Sequence, residues 1–206
     1  AVTARIQNNG QSCICGKRTI VHADIYDDFS ERFIQALKDV KLGDPMDEDT
    51  GLGPLSSEGQ RDTVLDQVDK AKKEGCTLLF GAEKIDKPGA WMTAGLLTDV
   101  PVGSETGTDE IFGPVGQLYK AKDIDEATTI ANAIPFGLGS AVWTTDESEQ
   151  EQFANAIEAG MTTFNGVNGS KIEAPFGGIK RSGHGRELAE FGLHEFMNLK
   201  TLVHPA

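Results

Sequence analysis

The chain has 206 residues, with 32 acidic side chains against 19 Lys and Arg, and its formal net charge is −13. Its composition, 38% hydrophobic and 25% charged, is that of an ordinary globular protein and excludes a disordered or collagen-like chain. No apolar run approaches the ~20 residues of a membrane helix, and the first residues lack the order of a signal peptide. We therefore expect a cytoplasmic protein without membrane contact, and the acidic balance argues against binding to nucleic acid.

The first half of the chain alternates helical and extended patterns. Residues 1–9 are typical of the last turns of a helix that Gly10 stops. A β-favouring run at residues 19–21 predicts a strand, and the apolar spacing across residues 29–40 predicts a helix. A second helix follows, with Val64, Leu65, Val68 and Ala71 on one face and Gly75 after its end, and residues 77–80 read as the next strand.

The second half repeats the same alternation. Asp123 and Asp146 each precede a helical pattern, with a glutamate three residues later, as in a capping box. Residues 138–145 and 161–164 read as the neighbouring strands, and a further helix is expected just after residues 183–185.

Strands that alternate with helices predict a parallel sheet covered by helices, because parallel neighbours need crossover connections. We interpret residues 1–206 as one α/β domain without internal repeats. The irregular stretches 81–91, 101–114 and 166–183 exceed ordinary loop lengths and are candidate binding loops.

Cys13 is the first candidate for chemistry. It lies where the first helix stops at a glycine and the chain turns toward a strand. Backbone amides freed at such a turn can activate a thiol and can donate to a developing oxyanion, as covalent catalysis at a carbonyl requires. The alternative is a buried structural cysteine, which the neighbouring Cys15 makes less attractive.

The other thiols and the histidines do not indicate a metal site. Structural zinc needs four ligands, usually with two to four residues between paired cysteines. Cys13 and Cys15 are too close together, Cys76 is distant, and the four histidines show no helical pairing. Three cysteines also cannot form a closed disulfide framework, so free thiols in a reducing compartment are expected.

Two Gly-x-Gly sequences, at residues 137–139 and 183–185, do not make a dinucleotide fingerprint, because neither joins a strand to a helix with the required third glycine. Glu110 and Phe112 are the better candidates for a cofactor contact. Two residues apart in extended backbone, they face the same side, and they suit a ribose diol and a flat ring. A solvated loop glutamate is the alternative.

Four motifs resemble, in order and spacing, the catalytic domain of the aldehyde dehydrogenase superfamily. They are residues 10–13 (Gly-Gln-Ser-Cys), 110–115 (Glu-Ile-Phe-Gly-Pro-Val), 135–138 (Pro-Phe-Gly-Leu) and 175–188 (Pro-Phe-Gly-Gly-Ile-Lys-Arg-Ser-Gly-His-Gly-Arg-Glu-Leu). The resemblance covers essentially the whole chain. Residues 1–18 and 191–201 look most like the bacterial succinate-semialdehyde dehydrogenases of that superfamily.

The resemblance implies a three-layer, parallel-sheet catalytic domain and assigns roles to individual residues. Cys13 matches the nucleophile, Glu110 the ligand of the nicotinamide ribose, and Phe112 the aromatic beside it. Phe176 matches a residue of the aldehyde pocket, and Ser170 lies where semialdehyde-specific members place a serine against the substrate carboxylate.

The resemblance also implies what lies outside this chain. In the superfamily three elements precede the cysteine: the domain that binds NAD or NADP, the asparagine of the oxyanion site and the glutamate that acts as the base. We therefore expect a longer protein. We also expect the full-length protein to form homo-oligomers. The chain by itself is then expected to be inactive. Gln7 departs from the arginine that carboxylate-binding members often carry, which counts against succinate semialdehyde as the substrate.

Two functions stay open at this point. The first is the thiol domain of an NAD(P)-dependent aldehyde oxidation, with succinate semialdehyde or another small aldehyde as substrate. The second is a redox-sensing thiol module that uses Cys13 and Cys15 without catalysis. The resemblance adds a related hypothesis, in which Cys15 is the redox partner of Cys13 in a reversible switch. The alternative for Cys15 is simple packing beneath the loop.

Overall fold

A computed structural model describes residues 1–205 and shows a mixed sheet of four strands. The strands of this sheet are β1 (Arg18–His22), β2 (Thr77–Gly81), β3 (Gly95–Thr98) and β4 (Val115–Ala121). Their order is β1-β4-β3-β2, with β4 parallel to both of its neighbours and β2 antiparallel at the edge. The α/β class with a parallel-containing sheet is therefore confirmed.

Four short strands form two further pairs. These are β5 (Phe136–Gly137), β6 (Ser140–Val142), β7 (Thr162–Phe164) and β8 (Ile179–Lys180). Strand β5 pairs with β8 antiparallel, and β6 pairs with β7 parallel.

The helices are α1 (Val2–Ile6), α2 (Tyr26–Lys38), α3 (Glu58–Lys73), α4 (Glu105–Thr108), α5 (Ile124–Asn132), α6 (Glu147–Ala156) and α7 (Ala189–His194), with 3₁₀ turns at Gln7–Gly10 and Ala23–Ile25. Side-chain caps start several of them. The carboxylates of Asp123 and Asp146 and the hydroxyl of Ser57 accept hydrogen bonds from the first-turn N–H groups of α5, α6 and α3. The predicted capping residues at 123 and 146 are thus confirmed. None of these helices is long and apolar enough to cross a membrane.

Helices cover both faces of the four-stranded sheet and bury two apolar cores. On one face, Phe33 and Leu37 of α2 pack with Leu96 and Leu118 of the sheet. On the other, residues of α3 and α5 pack with alternate residues of the same strands, namely Val64, Val68, Ala71, Ile130, Leu97, Val115 and Tyr119. Because neighbouring side chains of a strand point to opposite faces, Leu96 and Leu97 serve the two cores separately.

The structure differs from the sequence prediction in two missed strands and in the bounds of several elements. The central strands β3 and β4 were not predicted, because all of β3 and most of β4 are buried and show no polar alternation. The predicted strand at 138–145 is only the three residues of β6, and the irregular stretches 101–114 and 166–183 contain α4 and β8.

Two helix boundaries also differ from the prediction. Helix α7 begins at Ala189, not just after residue 185, because Gly183 and Leu188 adopt φ of 125° and 63°. The first helix ends at Ile6, since Asn8 and Asn9 already have left-handed backbone.

Gly10 brings two loops that are distant in sequence into contact. Its φ is 74°, and a Cβ added there would lie 2.2 Å from the carbonyl oxygen of Gly113. Only a residue without a side chain permits this approach, so Gly10 fixes the distance between the cysteine loop and residues 110–114.

We predict that Gly10→Ala lowers the free energy of unfolding by more than about 3 kcal/mol, because backbone strain and a backbone clash add together. Gly75→Ala is the matched control. Gly75 has φ 94°, but nothing lies within 4 Å of its added Cβ, so the cost should be only about 1–2 kcal/mol of strain. Urea unfolding of the two variants measures the difference, and equal losses would show that the contact with Gly113 is unimportant.

Candidate active site

Two side-chain amides just before Cys13, those of Asn9 and Gln11, anchor the loop that carries it. The amide of Asn9 donates to the carbonyl of Pro54 at 3.0 Å and accepts from the N–H of Gly53 at 2.9 Å. The side-chain oxygen of Gln11 accepts from the N–H of Ser56 at 3.0 Å. These bonds fix residues 9–11 to residues 53–56, immediately before the exposed Cys13.

Arg5 supports the same loop from within the protein. Its side chain is fully buried, and its Nη2 donates to the carbonyl of Gly10 at 2.7 Å. Burial lowers the pKa of Arg5 to about 10, while the nearby Cys15 and Glu110 act in the opposite direction. A buried guanidinium on a carbonyl is a strong, charge-assisted bond, and it fixes the end of the 3₁₀ turn.

Lys17 links the cysteine loop to Glu110. Its Nζ lies 2.7 Å from the carbonyl oxygen of Ser12, 3.0 Å from that of Cys13 and 2.9 Å from Glu110 Oε1. The same nitrogen is 5.7 Å from the centre of the Phe112 ring. Burial lowers the pKa of Lys17, and the hydrogen bond and charge of Glu110 oppose that effect. Glu110 and Phe112 thus both lie beside the Lys17 ammonium.

Two glutamines of α3 hold the backbone of residues 110–112. Gln60 Nε2 donates to the carbonyl of Phe112 at 2.8 Å, and Gln67 Nε2 donates to that of Glu110 at 3.1 Å. The side chain of Glu110 remains 37% exposed, so its carboxylate can contact a ligand while it is paired with Lys17.

A cleft of about 1830 Å³ opens beside these groups. Cys13, Cys15, Lys17, Glu110 and Phe176 all line it, so four of the predicted site residues are brought together. Phe176 is held there by a reciprocal backbone pair with Glu187, at 2.8 and 2.7 Å.

Two predicted site residues are placed differently. Among residues 1–205, those that line the cleft include Val167 and Asn168 but not Ser170, which is exposed farther along the same loop. Phe112 is half-buried under Lys17 and does not line the cleft either.

Cys15 faces the protein interior. Residues 12–15 form a turn, with the N–H of Cys15 3.2 Å from the carbonyl oxygen of Ser12. The Cys15 thiol is buried and donates to the carbonyl of Gln7 at 3.2 Å. Cys13 and Cys15 are both free thiols, one on the surface and one beneath the loop.

Sequence reasoning missed Arg5 and Lys17, the two cations that hold the loop. Their signal was weak, because a single basic residue in a helix or before a strand is usually solvated. Only the fold shows that Arg5 is fully buried and that Lys17 reaches Glu110, which is far away in sequence.

The α/β fold places an exposed thiol and a partly exposed glutamate along one cleft. A family model described as "Aldehyde dehydrogenase family" matches residues 1–202. The chain belongs to the aldehyde dehydrogenase family.

Curated relatives include succinate-semialdehyde dehydrogenase (NADP+) 1 of Mycobacterium ulcerans, which is 50% identical over 98% of this chain and 44% of its own length. The succinate-semialdehyde dehydrogenase (NADP+) of Mycobacterium avium is 51% identical over 98% of this chain and 43% of its own. The chain thus spans less than half the length of these relatives.

Solved structures agree with the sequence relatives. The succinic semialdehyde dehydrogenase of Streptococcus pyogenes in complex with NADP+ has a TM-score of 0.95 and 39% identity, over 98% of this chain and 45% of that one. The betaine aldehyde dehydrogenase of Staphylococcus aureus in complex with NAD+ has a TM-score of 0.91 and 32% identity. The match covers 95% of this chain and 40% of that one.

We predict that iodoacetamide at neutral pH labels Cys13 well before Cys15 and Cys76. Cys13 is exposed, whereas Cys15 and Cys76 are each 6% exposed, and burial raises the pKa of the Cys76 thiol. Peptide mass mapping over a time course measures the order of labelling. Labelling of Cys76 first would contradict the assignment.

Proposed function

We propose that the chain is the thiol-bearing part of an enzyme that oxidises succinate semialdehyde to succinate with NADP. The observation that carries this proposal is the exposed Cys13 in the same cleft as Glu110. A thiol on a rigid turn can attack a carbonyl, and a partly exposed carboxylate nearby can hold a diol.

In the proposed reaction the Cys13 thiolate attacks the aldehyde carbon and forms a C–S bond. The carbonyl oxygen becomes an oxyanion, which the Cys13 backbone N–H is positioned to receive. The resulting thiohemiacetal loses a hydride and becomes a thioester. Water then adds to the thioester carbon, the C–S bond breaks, and the carboxylic acid and the free thiol are released.

NADP, when bound, supplies the hydride acceptor. The residues present fit a cofactor ribose. One oxygen of Glu110 is paired with Lys17, while the side chain stays 37% exposed toward the cleft and can accept from a diol. We propose that Glu110 holds the nicotinamide ribose. Phe112 is proposed to contact the cofactor beside it, which requires the ring to move out from beneath Lys17. Most of the cofactor contacts, the second oxyanion donor and the base for hydrolysis are assigned to residues outside this chain.

Support for the substrate comes from the relatives, whose names specify succinate semialdehyde and NADP+. Phe176 is proposed to line the aldehyde pocket, and Ser170 is proposed to hydrogen-bond the substrate carboxylate. Ser170 stands on the surface of the loop that contributes Asn168 to the cleft, so this role requires the loop to move inward.

The full-length protein should form NADPH from succinate semialdehyde, and Cys13→Ser should reduce this activity by at least about 10³-fold, because a hydroxyl replaces the thiolate. Cys76→Ser is the matched control and should retain most of the activity. Residues 1–206 alone should form no NADPH. Activity in Cys13→Ser, or in residues 1–206 alone, would contradict the proposed division of labour.

Ser170→Ala should lower kcat/KM for succinate semialdehyde roughly tenfold, because a hydroxyl bond to a charged group is worth about 1.5–3 kcal/mol. Butanal, which lacks the carboxylate, should react with the variant as with the native enzyme. Steady-state kinetics with the two substrates measure the ratio. Equal losses would remove Ser170 from substrate recognition.

We also propose a redox switch between Cys13 and Cys15. Because Cys15 is buried and bonded to Gln7, the loop must rearrange for a disulfide to form, and such a bond is easily reduced. Mild peroxide should abolish activity and dithiothreitol restore it, whereas Cys15→Ser should be inactivated irreversibly. Cys76→Ser serves as the control. If Cys15→Ser recovers fully and no linked peptide is found, Cys15 only packs beneath the loop.

A further inference from the structure

We propose that Lys17 is a positioning residue for the oxyanion site. Lys17 binds the carbonyl of the Ser12–Cys13 peptide unit, and the Cys13 N–H of that unit therefore points away from the lysine. The inference rests on the proposed function and deepens it. Lys17 does not touch the reacting atoms in this account. It acts through the backbone of the cysteine loop.

The geometry follows from the planar peptide bond. The Ser12 carbonyl and the Cys13 N–H belong to one trans peptide unit, so they point in opposite directions. Lys17 Nζ lies 2.7 Å from that carbonyl oxygen, which also accepts from the N–H of Cys15 at 3.2 Å. With its carbonyl held twice, this peptide unit cannot easily rotate, and the direction of the Cys13 N–H is fixed.

The next peptide unit is held in the same way, since the Cys13 carbonyl lies 3.0 Å from Lys17 Nζ. Within residues 1–205, neither the Cys13 N–H nor the Ile14 N–H donates to a protein acceptor. A free N–H beside an exposed thiol can donate to an oxyanion, and here the Cys13 N–H is the donor that this chain supplies.

Arg5 provides an internal comparison. It also holds a carbonyl of this loop, that of Gly10 at 2.7 Å. The N–H of the same peptide unit, that of Gln11, is however used within the turn, where it donates to the carbonyl of Asn8 at 2.9 Å. Arg5 therefore stabilises the loop, whereas Lys17 holds a peptide unit whose N–H is left free for a ligand.

Lys17 is itself fixed by its partners. A lysine ammonium has three N–H donors, and the three acceptors are the Ser12 carbonyl, the Cys13 carbonyl and Glu110. The side chain is only 17% exposed. Bonds from a positive charge also polarise the peptide group, so the N–H at its other end becomes a stronger donor.

Two reactions of the full-length protein, both without cofactor, separate this role from general damage to the loop. With p-nitrophenyl acetate, the Cys13 thiolate adds to the ester carbonyl, an oxyanion forms, and p-nitrophenolate leaves as the C–O bond breaks. Water then hydrolyses the acetyl thioester. With iodoacetamide, the same thiolate displaces iodide at carbon, and no oxyanion forms.

Lys17→Met should slow acylation by the ester roughly 10- to 100-fold, less than the roughly 10²- to 10³-fold cost of removing a donor, because the Cys13 N–H stays but loses its fixed direction. The alkylation rate should change less than about threefold. Lys73→Met, an exposed lysine of α3, is the control and should change neither rate. Lys17→Arg, which keeps the charge and the donors, should recover at least part of the ester reaction. Equal losses in both reactions, or no selective loss, would overturn the proposal.

Lys17→Gln, which removes the charge but keeps a donor, is the second variant if Lys17→Met does not fold, and it should show the same selective loss. Cys13→Ser distinguishes a failure of the proposed function from a failure of the proposed role of Lys17. If Cys13→Ser still reacts with the ester, the proposed function itself fails. If Cys13→Ser is inactive but the Lys17 variants lose both reactions equally, only the role of Lys17 is wrong.

Discussion

The site depends on one contact, the close approach of the cysteine loop to residues 110–114. Gly10 permits the backbones to touch, and Lys17 closes the contact with an ion pair to Glu110 at 2.9 Å. The two segments are far apart in sequence. They meet because the strand that follows each of them, β1 after the cysteine loop and β4 after residues 110–114, pairs in parallel in the same sheet. Parallel pairing places both strand starts at one edge, so the sheet itself delivers the thiol and the carboxylate to one place.

The same contact accounts for the two cations beside the cysteine loop, the buried Arg5 and the mostly buried Lys17. The charge of Lys17 and the fully buried Arg5 are costly to desolvate, and burial lowers the pKa of both. The two side chains donate hydrogen bonds to the carbonyls of Gly10, Ser12 and Cys13. Backbone N–H groups of a helix or a sheet would otherwise bind such carbonyls, but the loop has no regular secondary structure there. A rigid loop is useful to a catalyst, since donors that are already oriented need no reorganisation during the reaction.

Much of the site could be predicted from the sequence, but the way in which it is held could not. Local sequence patterns pointed to Cys13 and Glu110, the family resemblance added Phe176, and the structure places all three around one cleft. Lys17 and Arg5 escaped prediction because their partners are set by tertiary contacts, and β3 and β4 escaped because buried central strands lack an alternating pattern. Ser170 carries the least structural support, since its loop has few regular bonds and leaves its side chain on the surface.

The central claim is that Cys13 carries the substrate carbon as a thioester. The most direct measurement is acid quenching of the full-length protein during turnover of succinate semialdehyde with NADP, followed by peptide mass analysis. We predict a succinyl adduct on the peptide that contains Cys13. This adduct should disappear when the quenched sample is treated with hydroxylamine, which cleaves thioesters. A succinyl adduct on Cys76, or turnover with no adduct on any cysteine at any quench time, would contradict it.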